Sequence, residues 1–409
     1  MFVKTSKHNT YSYLQRTNEI VSGIVEEKDS VWEFEPLRHF YAMPNVDMFV
    51  ISLTEQCNLR CSYCCYSGSY TNNRTHSSLS MTENDINGII GFIKQTVHEK
   101  PIRIAFYGGE PLTQYSLFQY AIIRAADELG SNTTFSVSTN GTLLSNERIE
   151  WLVEHDVEIH LSIDGTAPFH DANRRDILGK GTFCRIHQAL AYIKDSHPEY
   201  FSHVFLLMTL SGIDHLEMIA EQWNEDDILK NIAPTRISGL APNFSQGVTK
   251  VDWEQKKSQH LHLLDVYERH PEYMVLKTFF AQCIAYWKNR PIVEADGPIP
   301  MATCLPLNAK LFVDTKMQIG VCEKISDNCR IGSISSGIDW DKANSLVKNY
   351  YDKRVQRCTH CPAIRFCDLC LTAVEFNDEQ WDVLCHNERV NAQLNMLLFC
   401  EMAERGLIA

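Results

Sequence analysis

The chain has 409 residues, 44% of them hydrophobic, and a formal net charge of -13, enough to bury one large core and a smaller one and unlike a disordered chain. That acidity argues against a nucleic-acid partner, because phosphate neutralisation needs clustered Lys and Arg. The sequence has no apolar run long enough to cross a bilayer, and the opening MFVKTSKHNTYSYLQR lacks a signal-peptide core, so no membrane span and a cytoplasmic location are expected.

Residues 1–46 are expected to hold a hairpin, with Glu19–Val25 and Val31–Phe34 on either side of the turn-forming EEKDS. Its edge strand is a candidate contact for a leader peptide by β-augmentation. Over residues 47–240, β-rich runs alternate with helical patterns. The predicted strands are Met48–Thr54, Ile102–Tyr107, Thr134–Ser138, Val157–Ile163, His203–Leu210 and Thr235–Ser238. Ile86, Ile89, Ile90, Ile93 and Val97 recur at helical spacing behind an N-cap at Thr82, with Asp85 three residues on. Leu117–Leu129, Glu147–Val153 and Phe183–Ile193 give further amphipathic helices. Six βα units in series predict an α/β fold with a parallel sheet and functional loops at the strands' carboxyl ends. Residues 241–300 read as a helical linker, with Asp252–Tyr267 its clearest helix. Across 301–409 the periodicity fails and Cys, Gly and turn residues take over, which predicts a small metal-stapled domain.

Fifteen cysteines without an export signal point to metal rather than disulfides. Cys184, Cys283 and Cys400 stand alone and read as small apolar core residues. On the first strand-end loop, Cys57-x3-Cys61-x2-Cys64 offers a [4Fe-4S] cube three of its four thiolates, leaving one iron open to bind and reduce a ligand. A zinc knuckle is the competing reading, and Cys65 falls outside the spacing. After the second strand, Gly108 and Gly109 permit close backbone approach, and Glu110 can take an ammonium group. Ser138-Thr139-Asn140-Gly141 closes the third strand and Ser162-Ile163-Asp164-Gly165 the fourth, followed by His170-Asp171 and Arg174.

In combination these runs resemble the radical S-adenosylmethionine enzymes, whose signature is C-x3-C-x-aromatic-C, with Tyr63 as the aromatic residue. The resemblance implies a partial (β/α)6 barrel in which Cys57, Cys61 and Cys64 hold the radical-generating [4Fe-4S] cluster and S-adenosylmethionine binds its open iron. Tyr63 would then pack near the adenine, and Gly108, Gly109 and Glu110 would hold the methionyl amino group. Ser138 and Asn140 would hydrogen-bond the cofactor's polar ends, and Ser162 with either Arg174 or Arg185 would take its carboxylate.

The later cysteines, Cys304-x17-Cys322 and Cys358-x2-Cys361-x5-Cys367-x2-Cys370 followed by Cys385, resemble the SPASM extension, which binds two auxiliary [4Fe-4S] clusters. By order, Cys358, Cys361, Cys367 and Cys385 would hold the outer cluster and Cys304, Cys322 and Cys370 the inner one. The last gap is shorter and the first pair more widely spaced than the usual pattern; the inner cluster keeps an open iron or takes Cys329 as its fourth ligand. A zinc ribbon is the competing reading of the C-x2-C pairs. The family resemblance implies a precursor peptide as substrate, hydrogen abstraction that installs a thioether or carbon–carbon crosslink, and a flavodoxin- or ferredoxin-like reductant. An anaerobic sulfatase maturase making formylglycine is the alternative activity, and an iron–sulfur electron carrier or zinc scaffold the non-catalytic one. No residue is singled out as the general base.

Overall fold

A computed structural model describes residues 1–27, 31–39, 46–70, 73–97, 101–240, 249–292, 307–324 and 326–408. The first three strands, β1 (Phe2–Lys4), β2 (Thr10–Leu14) and β3 (Glu19–Ser22), form their own antiparallel sheet. This corrects the expected hairpin. Asn18 adopts the left-handed conformation (φ 62), which Asn tolerates well, and the chain reverses there so that β3 pairs with β2 before EEKDS is reached. Residues 31–34 form no strand; Trp32 is buried against Cys358 and Ile364.

Six parallel strands follow in sequential order: β4 (Met48–Thr54), β5 (Ile102–Gly108), β6 (Thr133–Thr139), β7 (Val157–Ser162), β8 (Val204–Leu210) and β9 (Pro234–Gly239). Between them lie α1 (Glu83–Thr96), α2 (Tyr115–Leu129), α3 (Asn146–Glu154), α4 (Ala167–Asn173), α5 (Phe183–Ser196) and, before β9, α6 (Leu216–Glu225). The start of α1 is the capping box that its sequence predicts, with Thr82 and Asp85 bonding each other's backbone N–H. Alternation along the strands separates two faces. Ile159, Leu161, Leu206 and Met208 are buried, whereas His160, Ser162, Leu207 and Thr209 on the opposite face are half-buried. On β5, Phe106 meets the ring of Phe118 from α2 with centroids 5.0 Å apart.

The stretch expected to link two domains is a packed helical pair, α7 (Trp253–Arg269) and α8 (Met274–Asn289), with Leu264, Leu276, Phe280 and Trp287 buried. Beyond it regular structure resumes, against expectation. Strand β10 (Lys310–Val313) pairs in parallel with β4, from Lys310 opposite Met48 to Val313 opposite Ile51. Then β11 (Gln318–Gly320), β12 (Gly332–Ser333) and β13 (Gly337–Ile338) extend the same sheet antiparallel to a total of ten strands. Two long helices follow, α9 (Trp340–Cys358) and α10 (Asp378–Glu404). On α9 the inward positions are held by Asn344, Tyr350, Tyr351, Arg354 and Cys358 as well as Leu346 and Val347, so its apolar period is hidden in the sequence. No helix among the described residues is long and apolar enough to cross a membrane.

The amino-terminal sheet docks on α10 through charge. Ser6 donates from its backbone N at 2.5 Å and its hydroxyl at 2.7 Å to Glu401, which also accepts from Arg405 Nη2 at 3.1 Å. Tyr11 and Asn9 donate to Glu404 at 2.8 and 2.9 Å. Removing a buried carboxylate leaves Arg405 and Ser6 partly unpartnered, so Glu401→Ala should lower stability by about 3 kcal/mol in urea denaturation. Lys94→Ala, which breaks an exposed pair with Glu128, should leave the midpoint unchanged.

Candidate active site

The cysteine loop leaves the end of β4 and is clamped from two sides. Gly109 N donates to the Thr54 carbonyl at 2.8 Å and Glu110 N to the Gln56 carbonyl at 2.7 Å. A Cβ on Gly109 would lie 2.0 Å from the Gln56 carbonyl oxygen, and Gly108 adopts φ +132 with its own Cβ position 2.4 Å from the Thr54 oxygen. Only paired glycines permit this approach. On the other side, Arg60 N donates to the Arg175 carbonyl at 2.7 Å and Ser62 N to the Asn173 carbonyl at 3.0 Å.

Each cysteine of the triad meets a polar side chain from a different element. Asn140 Nδ2 lies 3.9 Å from Cys57 Sγ, Arg174 Nη1 4.0 Å from Cys61 Sγ, and His76 Nε2 3.7 Å from Cys64 Sγ. Burial pushes the Cys57 thiol up to about 12 and the Cys61 thiol up to about 11. Cys64 is raised by its contact with Cys65 first and by burial second. Such thiols shed their protons only to a cation that replaces them.

The predicted residues divide by what they touch. Glu110 is buried: its carboxylate accepts from Thr139 Oγ1 at 2.8 Å, Asn140 N at 2.7 Å and Leu112 N at 3.1 Å. Burial pushes it up to about 7 against those three donors. It thereby ties the glycine loop to the end of β6 and to Asn140. Ser138 and Ser162 are half-buried at the carboxyl ends of β6 and β7. Arg174 is buried beside Cys61, whereas Arg185 is half-exposed and lies 3.8 Å from Asp176, away from the triad's sulfurs. The geometry thus separates two arginines that the sequence leaves equivalent.

Asp164, inside the Ser162–Gly165 run, joins the triad loop to the end of the barrel, a role that its position in the sequence does not signal. It is buried, accepts from Arg174 Nε at 2.8 Å and Thr209 N at 3.0 Å, and receives the Tyr63 hydroxyl. The Arg174 guanidinium lies 5.4 Å from the Tyr63 ring centroid. Behind Asp164, His170 Nδ1 accepts from Asp164 N at 3.3 Å, and its Nε2 lies 3.0 Å from Thr182 Oγ1, which in turn donates to the Arg174 carbonyl. Asp171 accepts from Thr182 N and Phe183 N at 2.7 and 2.9 Å. The His170-Asp171 and Gly181-Thr182-Phe183 runs are therefore one clip that fixes Arg174.

The later cysteines gather at the end of α9. Cys358 and Cys367 are buried, and burial pushes them up to about 11 and about 12. The charge on Cys358 is influenced by Cys361 and Cys385, and that on Cys322 by Cys370. Cys329 is influenced by Glu375 and Arg330; Cys304 lies outside the described residues. Among the described residues, no three His, Cys, Asp or Glu side chains converge on one metal ion; in a cube each thiolate binds a different iron and the sulfurs stand farther apart. The donor set suits such a cluster in another respect: Arg354 is buried among these thiols with its Nε and Nη2 unpartnered. That charge needs an anionic group of the kind a thiolate cluster supplies.

The Radical SAM superfamily profile matches residues 51–222, the span from β4 to α6. An S-adenosylmethionine-dependent nucleotide dehydratase of Pseudoalteromonas ulvae is 31% identical over 238 residues, covering 54% of this chain and 73% of the dehydratase. The chain belongs to the radical SAM superfamily, which implies a [4Fe-4S] cluster and S-adenosylmethionine. A cysteine-type anaerobic sulfatase-maturating enzyme of Clostridium perfringens is 27% identical over 190 residues, 45% of this chain and 50% of that enzyme, so the chain spans about half the length of such curated relatives. The structure of native anSMEcpe with bound AdoMet and Cp18Cys peptide matches at a TM-score of 0.63 and 17% identity, covering 89% of this chain and 100% of that one. The shared fold therefore continues past the partial barrel into the cysteine-rich SPASM-type extension.

The clip behind Asp164 makes stability depend on pH. Burial lowers His170 from its ordinary 6.5 to about 4, so the unfolded chain takes up a proton in a range where the folded chain does not. Its contribution is complete above pH 6.5 and is lost as pH falls toward 4, by about 3 kcal/mol in total. Urea midpoints across that range should show this slope, and His170→Gln should flatten it.

Proposed function

We propose that the chain is a radical S-adenosylmethionine enzyme that modifies a peptide, joining a thiol or carbon to an unactivated carbon to form a thioether or carbon–carbon crosslink. Cys57, Cys61 and Cys64 hold the radical cluster, and two auxiliary clusters sit in the extension. Bound at the triad, the cofactor supplies hydrogen-abstracting chemistry. Arg174, held by Asp164, presents a guanidinium beside Cys61 that suits a carboxylate, while Gly108 and Gly109 let their loop close on the Thr54 and Gln56 carbonyls at the base of the triad loop. Tyr63 walls the same space through its bond to Asp164.

One observation carries the choice of an oxidative outcome. Pairing of β10 with β4 brings the cysteine-rich extension against the triad loop, where Tyr66 donates to the Glu323 carbonyl at 3.3 Å, one residue from Cys322. Making a thioether from a thiol and a C–H bond removes one hydrogen atom, one proton and one electron. The electron needs an acceptor close to the radical site, and a cluster at Cys322 and Cys370 would stand there. Cys358, Cys361, Cys367 and Cys385 would hold the second. The likeness to sulfatase-maturating relatives favours a second reading, oxidation of a protein cysteine to formylglycine, which needs the same acceptor.

Anaerobically reconstituted protein with S-adenosylmethionine and a strong reductant should carry about twelve irons per chain and release 5′-deoxyadenosine. Absence of that nucleoside at full iron loading would sink the enzyme reading. Mass spectra of treated Cys-containing peptides, the Cp18Cys peptide among them, separate the outcomes: crosslinking loses two hydrogens, whereas formylglycine formation loses sulfur. Cys57→Ala and Cys64→Ala should each abolish cofactor cleavage, while Cys358→Ala should spare cleavage and cut peptide turnover at least tenfold.

A further inference from the structure

Helix α9 carries Tyr350, Arg354 and Cys358 at steps of four residues, which puts them on one face. That face is buried. Arg354 is 1% exposed; its Nη1 lies 3.2 Å from the Tyr350 hydroxyl and 3.6 Å from Cys367 Sγ, while Nε and Nη2 have no oxygen or nitrogen acceptor among the described residues. The Tyr350 hydroxyl donates to the Leu369 carbonyl, so it cannot balance the guanidinium. Trp32 closes the site over Cys358.

A guanidinium stays protonated in proteins, and a buried cation is tolerated only beside an anion. Here the groups able to become anionic are the thiols. Four thiolates around an oxidised [4Fe-4S] cube make a net dianion, and one-electron reduction makes it a trianion. A fixed cation within hydrogen-bonding reach of a ligating sulfur stabilises the reduced state more than the oxidised one, because the attraction grows with the cluster's charge.

We propose that Arg354 is the built-in counter-ion of the auxiliary cluster held by Cys358, Cys361, Cys367 and Cys385, and that its contact with Cys367 raises that cluster's reduction potential. Arg354 is a positioning and tuning residue, since it touches neither peptide nor cofactor. This rests on the ligand assignment made under the proposed function.

The test is an EPR-monitored redox titration of the anaerobically reconstituted holoenzyme. In Arg354→Met, one auxiliary cluster should shift its oxidised-to-reduced ratio at fixed potential about tenfold toward oxidised, equal to about 59 mV for one electron, while the other two midpoints stay put. Arg354→Lys, which keeps the charge, should retain most of the wild-type midpoint. An unchanged midpoint in fully loaded Arg354→Met overturns the proposal. Should Arg354→Met fail to hold iron, Arg354→Lys decides: full loading supports a charge role, and loss of iron there with native circular dichroism overturns it. Cys358→Ala serves as the separate check on the ligand assignment. If that variant keeps all its iron, no cluster sits on these cysteines, and the assignment fails together with the inference drawn from it.

Discussion

The ion pair between Asp164 and Arg174 brings three separate parts of the barrel to one carboxylate. One carboxylate takes the guanidinium from the end of α4, the hydroxyl of Tyr63 from the cysteine loop and the backbone N–H of Thr209 from β8. Both partners are buried, where an unpaired charge is costly and a well-bonded pair is held in one geometry. Because Arg174 reaches Cys61, the same interaction sets the electrostatics at the triad. His170, Asp171 and Thr182 form a second ring around the pair and need no contact with the cofactor to matter.

A similar logic runs through the carboxyl-terminal extension, with the opposite balance. There a guanidinium is buried without a carboxylate, and the side chains around it are thiols that burial holds protonated. The two halves of that arrangement are each unfavourable alone. Thiols that lost their protons to a metal cluster would make the two compatible, and the proposed cluster would then couple folding of this region to metal loading. Trp32, from the amino-terminal segment, packs on Cys358, and Glu401 ties the amino-terminal sheet to α10. The two ends of the chain therefore close over the cysteine-rich region together.

Strand pairing explains how a barrel and an extension share one site. A partial barrel leaves the outer edge of β4 open, and open edges invite further pairing. Lys310–Val313 fills that edge. Since β4 also feeds the triad loop, filling its edge places Cys322 and Glu323 within reach of Tyr66. Distance along the chain, from the triad to the extension, is erased by one four-residue strand.

The barrel strands were legible in the sequence to within one residue at either end, because they are short β-rich runs, alternating in burial along β5, β7 and β8 and almost continuously buried in β4, set between amphipathic helices. The glycine pair and the spacing of the triad were equally plain, since a close backbone approach and cube ligation each demand a residue type that little else supplies. Helix α9 is hidden in the sequence, because Tyr, Asn, Arg and Cys occupy inward positions that a hydrophobic period cannot register. Composition and spacing by themselves determined the parallel barrel, the cysteine triad and the cysteine-rich extension. Only the tertiary structure placed Arg174 beside Cys61 and Arg185 beside Asp176, joined Asp164 to Arg174 and Tyr63, turned β3 back onto β2 and buried Arg354 among thiols. Each of these depends on which side chains meet across distant segments in a low-dielectric interior, and a local pattern carries no record of that.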